Sequence, residues 1–80
     1  MDTLNQAYNS TLLLNIAIAN CKLNKNDDAI VALNKAIKFN PKYSKALVKR
    51  GEMNLALENY NEAIRDFSEA SDHDSTGFNV

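Results

Sequence analysis

The sequence predicts an all-α fold of antiparallel helical hairpins set in series, from three observations. Apolar residues recur at the three-and-four spacing of a helix face in four separate stretches. Short polar breaks separate these stretches, of the length that joins antiparallel helix pairs, and Pro41 punctuates the middle of the chain. The two halves also align without a gap at an offset of 34. Ser10/Ser44, Leu13/Leu47, Asn20/Asn54, Leu23/Leu57, Ala29/Ala63, Ile30/Ile64 and Ala36/Ala70 are identical pairs, and Ala17/Gly51 and Leu33/Phe67 keep small and large character.

Residues 1–9 show no clear period and read as a connector or the tail of a preceding unit, with a nascent helical turn at residues 4–8. From Ser10 the pattern is helical: Leu13, Ile16, Ala17, Asn20 and Leu23 share one face, and Asn9 or Ser10 is placed to cap its start. Leu12 and Leu14 widen the apolar face, so burial on more than one side is expected. After the break Asn24, Lys25, Asn26, a second helix begins at about Asp27 with Ala29, Ile30, Leu33, Ala36 and Ile37 inward. It must stop by Asn40, because the residue before a proline is driven out of the helical region. Ser44 is placed to cap the third helix, whose packing side is Ala46, Leu47, Gly51, Asn54, Leu55 and Leu57; Glu58 and Asn59 break it. The fourth runs from about Asn61 to His73 with Ala63, Ile64, Phe67 and Ala70 inward. Glu62 and Asp66 load its early part with negative charge, while Asp72 and Asp74 oppose the dipole at its end and favour fraying there. The expected units are residues 10–43 and 44–77, with residues 78–80 starting a next element or forming a loose tail.

Composition narrows the function. Eighty residues make one small domain or part of one, and 45% hydrophobic with 24% charged residues is ordinary for a soluble globular protein. A net charge of −1 argues against a general nucleic-acid binder. The local cluster Lys45, Lys49 and Arg50 suits a small acidic ligand better than a phosphate backbone. Cys21 is the only cysteine and His73 the only histidine, so neither an internal disulfide nor a metal site is expected. Cys21 reads as a half-buried reduced thiol. No signal peptide is visible, and the apolar run at residues 12–14 is far too short to span a bilayer. A cytoplasmic setting is the expectation. No cysteine–histidine pair, serine triad, glycine-rich phosphate loop or metal spacing is present, so neither catalytic residues nor a cofactor are expected.

The period of 34 with one helical hairpin per unit resembles the tetratricopeptide repeat (TPR). The second unit supplies Leu47, Arg50, Gly51, Asn54, Ala63, Phe67, Ala70 and Ser75 at the pattern's positions, and the first supplies Leu13, Ile16, Ala17, Asn20, Ala29, Leu33, Ala36 and Pro41. Asn20 and Asn54 stand where tyrosine is usual, and Ser75 where proline is usual. The resemblance implies a short right-handed α-solenoid of two units, whose first helices line a concave groove that docks extended peptides. Two units are fewer than the roughly three such arrays need for a stable core, so a segment of a longer repeat domain is expected.

Along the first helix, Thr11, Asn15, Ile18 and Lys22 form one stripe; along the third, Lys45, Lys49, Glu52 and Ala56 fall at equivalent places, and Ile18 and Val48 are apolar enough to contact a ligand side chain or to pack. The runs LLLNIAIANCKL and NPKYSKALVKRGE resemble the repeats of co-chaperones that bind cytosolic heat-shock chaperones: large immunophilins, the stress-induced organising co-chaperone and TPR-containing J-proteins. In that family an asparagine and two basic residues clamp the C-terminal carboxylate of a Glu-Glu-Val-Asp tail. Asn15, Lys45 and Lys49 fall on those places, with Lys49 where arginine is common; the clamp's remaining lysine and asparagine belong to a preceding repeat. The resemblance thus implies a peptide-binding module for an acidic chaperone tail, with half a clamp. Glu52 projects into the same groove and opposes an acidic ligand, whereas Arg50 turns aside to pair with a carboxylate on a neighbouring helix. Two alternatives stay open: a scaffold repeat without carboxylate preference, and a repeat that self-associates through uncapped helices.

Overall fold

The computed structural model describes residues 3–73, with side chains from Asn9 onward. Four helices account for them: α1 (Thr3–Lys22), α2 (Asn26–Phe39), α3 (Ser44–Ala56) and α4 (Tyr60–His73). The described residues include no strand. α1 begins well ahead of the expected start, because residues 3–9 contain neither glycine nor proline and a helix, once nucleated, propagates through such a stretch. The expected next element beyond residue 77 lies outside the described residues.

Neither serine acts as the expected cap. Ser10 sits inside α1, and Ser44 is itself the first residue of α3, with Tyr43 at the N-cap in extended conformation. Each hydroxyl instead reaches the partner helix: Ser10 Oγ donates to the Ala36 carbonyl at 3.1 Å, and Ser44 Oγ to the Ala70 carbonyl at 3.5 Å. Ser10 is fully buried, so its hydroxyl needs a protein acceptor. Donor and acceptor both recur at the 34-residue offset.

The hairpin turns repeat the same way. Asn24 (φ 62°) and Glu58 (φ 64°) both occupy the left-handed region. Around them, Lys25 N–H donates to Asn20 O at 2.8 Å and Asn24 N–H to Cys21 O at 3.0 Å; Asn59 N–H donates to Asn54 O at 2.8 Å and Glu58 N–H to Leu55 O at 3.1 Å. Both turns are Schellman motifs, in which a left-handed residue lets the chain reverse while satisfying the helix's last carbonyls. Asparagine tolerates that backbone well. Glu58 adopts it at a cost, with no glycine in its place.

α1 packs on α2, α3 on α4, and α2 on α3, giving two hairpins in series. The shared core draws Leu14 and Ala17 from α1, Ala29, Leu33 and Ala36 from α2, and Ala46 and Met53 from α3. Its small residues allow close helix approach, as the sequence pattern required. Gly51 is the tightest case: a Cβ added there would lie 2.7 Å from Phe67 Cε1, so the ring occupies the space a side chain would need. Cys21 is half-buried against the core.

Several residues expected inward lie at the surface. Leu12, Ile16 and Leu23 are 44%, 50% and 65% exposed, so α1 is buried on one side rather than several. Leu55, Ile64 and Phe67 are also substantially exposed. Among the described residues, α2 and α3 are the two inner helices: α2 packs on α1 and α3, and α3 on α2 and α4.

Candidate functional site

Lys45, Val48, Lys49 and Glu52 follow one another at i, i+3, i+4 and i+7 on α3, which stacks them on one face of that helix. With Ser44 they line an open groove of about 290 Å³. Val48, 39% exposed, adds apolar surface to the groove that Lys45 and Lys49 also line. Lys45 is exposed and Lys49 half-buried. Lys49 Nζ stands 3.5 Å from Glu52 Oε1, a long contact to a half-exposed carboxylate. Such a pair contributes little and exchanges readily for a better acceptor.

The lining of that groove is drawn from α3 alone. On α1, Thr11, Asn15 and Lys22 are exposed. Lys22 sits in the last turn, where its charge complements the helix dipole. Ile18 is half-buried against the core, so packing occupies much of the side chain expected to meet a ligand.

Arg50 lies about 100° around the helix from Lys49 and turns to the other side, as expected. Its Nε and Nη2 donate to Asp66 Oδ1 at 3.0 and 2.7 Å. Asn54 Nδ2 donates to Asp66 Oδ2 at 2.9 Å, and Asn59 Nδ2 to Asn54 Oδ1 at 3.4 Å. Arg50 Nη1 also donates to Asn34 Oδ1 at 2.9 Å. One guanidinium therefore ties α3 to α4 within its hairpin and to α2 across the hairpins, fixing the rotation of the helix that carries Lys45 and Lys49. Asp66, read from sequence as negative charge in the early part of its helix, is 2% exposed and is the neighbouring-helix carboxylate expected to pair with Arg50. The signal was present: Arg50 and Asp66 replace Ile16 and Ala32 of the first half, so two apolar positions change together into an opposite-charge pair.

No protein-family model matches the chain. The chain is similar to DnaJ homolog subfamily C member 7 homolog of Dictyostelium discoideum, 35% identical over 69 residues that make up 86% of this chain and 13% of that protein. It is also similar to DnaJ homolog subfamily C member 7 of Homo sapiens, 34% identical over 76 residues, 95% of this chain and 15% of that protein. Nearly all of this chain therefore corresponds to a small part of each of these J-protein homologues.

Proposed function

We propose that this chain is a non-catalytic TPR module of a cytoplasmic co-chaperone, binding extended peptide segments, and that its preferred ligand is the acidic C-terminal tail of a heat-shock chaperone. The observation that carries the reading is the pairing of Lys45 and Lys49 over the apolar Val48 in one open groove. Two ammonium groups one turn apart supply the charge and donors a terminal carboxylate needs, and Val48 offers contact to an adjacent apolar side chain. Asn15 on α1 is assigned the amide of the clamp, with Thr11, Ile18 and Lys22 along the same stripe. The J-protein names of the relatives agree with this class of module. Glu52 favours the second reading, a groove without carboxylate preference, because it already offers Lys49 an acceptor.

A titration with an acidic tail peptide tests the proposal. Lys45 is exposed, so Lys45→Ala is expected to weaken binding about two- to fivefold, the range of a solvent-screened contact. Lys49→Glu replaces a half-buried cation with a repelling charge, and about tenfold or greater loss is expected. Unchanged affinity in both variants, with helicity retained by circular dichroism, refutes the assignment.

A further inference from the structure

We infer, resting on the carboxylate reading above, that Glu52 selects among the tails the α3 groove accepts. It favours a terminal carboxylate with a basic residue two positions upstream over a tail that is acidic at that place. The groove runs along α3 from Ser44 to Glu52, and its charge changes sign on the way, with Lys45 and Lys49 first and Glu52 last. Lys45 has no ion-pair partner among the described residues, whereas Lys49 is shared with Glu52 at 3.5 Å. The Glu52 side chain is 51% exposed, so a ligand can reach it.

This order of charges opposes the helix dipole. α2 opens on Asp27 and Asp28 and α4 on Glu62, the anions that a helix N-terminus favours. α3 has no acid in its first turn, places Lys45 there instead and carries Glu52 in its second half. A ligand carboxylate at the N-terminal end and a ligand cation at Glu52 compensate both placements, which lays the tail along α3 with its C-terminus toward Ser44. A carboxylate held midway between Lys45 and Lys49 lies about 7.5 Å from Glu52 along the helix axis. An extended chain covers that distance in about two residues, and residues two apart point to the same side. When the incoming carboxylate takes Lys49, Glu52 is left without its cation. A basic side chain two positions upstream replaces it, whereas an acidic one there faces Glu52 as a like charge.

The test is a titration of the full chain with three free-acid peptides that end in aspartate and differ only at the third residue from the C-terminus, which is lysine, glutamine or glutamate. Wild type is expected to bind them in that order of decreasing affinity, each step about two- to fivefold, the range of a solvent-screened contact. Glu52→Gln removes the charge and keeps the shape, and is expected to bring the three affinities together and to bind the glutamate peptide more tightly than wild type does. Glu52→Lys is expected to reverse the order. Circular dichroism checks that both variants keep their helicity. The C-terminal amide of the lysine peptide separates this selectivity from the reading beneath it. Free acid preferred over amide, with no order among the three peptides, overturns the role of Glu52 alone. An order that survives in Glu52→Gln also overturns it, because the selectivity then comes from another group. Equal binding of acid and amide, or no binding of any peptide, overturns the carboxylate reading and the selectivity with it.

Discussion

Arg50→Ala is expected to destabilise the chain by about 3–5 kcal/mol, read from urea or thermal unfolding followed by circular dichroism. The cost comes from what is left behind. Asp66 has a side chain only 3% exposed, and without the guanidinium its carboxylate keeps Asn54 as a neutral donor. Small domains are stable by roughly 5–15 kcal/mol, so this one truncation removes a large share of the total. Asp66→Ala is expected to cost less, because the Arg50 side chain is 22% exposed and its guanidinium can turn to water. The first repeat shows how the position is filled without charge: Ile16 and Ala32 stand at the equivalent sites. Arg50→Ile combined with Asp66→Ala is therefore expected to recover most of the stability lost in Arg50→Ala, since a buried ion pair is often replaceable by apolar residues at little net cost. A double variant no more stable than Arg50→Ala would show that the pair is not replaceable in this way.

Gly51→Ala reverses the usual rule for helices. In an exposed helix interior the exchange stabilises by about 1 kcal/mol. Here the new Cβ would stand 2.7–2.9 Å from three atoms of the Phe67 ring. Overpacking of this kind costs about 1–3 kcal/mol, enough to cancel or exceed the gain in propensity. Phe67 is 36% exposed, so the ring can move outward, which places the expected net loss toward the lower end. The informative variant is again the one that copies the first repeat, where Ala17 and Leu33 are both fully buried. Gly51→Ala with Phe67→Leu converts the second pair to the first, and the double variant is expected to be more stable than Gly51→Ala alone. Thermal unfolding of the two variants decides it.

The same internal comparison explains what was legible in the sequence. The two-hairpin architecture followed from periodicity and the 34-residue offset, and the helix ends at Phe39 and Ala56 agree with the breaks read there. Gly51 as a close-packing residue and Arg50 as an inter-helix pairing residue were also readable, because register alone separates them from Lys45 and Lys49. The roles of Ser10 and Ser44 were not. A serine near a helix start reads as a cap, and only the packing of the partner helix shows that each hydroxyl reaches across to a carbonyl. The early start of α1 was hidden because residues 3–9 have no apolar period, and their helical state rests on continuity with the periodic segment that begins at Ser10. Leu12, Ile16 and Ile64 read as core because periodicity marks an apolar face without saying whether a neighbour covers it. Of the candidate site, the α3 face was legible as a stripe. The Lys49–Glu52 contact and the half-burial of Ile18 depend on side-chain placement.

Recognition of a terminal carboxylate by the α3 groove is tested most directly by titrating the full chain with one acidic peptide in two forms, free acid and C-terminal amide. Amidation removes the terminal negative charge and leaves every side chain in place. The terminal charge meets exposed Lys45 and half-buried Lys49 in an open groove, so the amide is expected to bind roughly two- to tenfold more weakly. The difference should shrink as salt screens the exposed Lys45. Equal affinity for the two forms would contradict the carboxylate assignment and leave Lys45 and Lys49 as a solvated face of a general peptide groove.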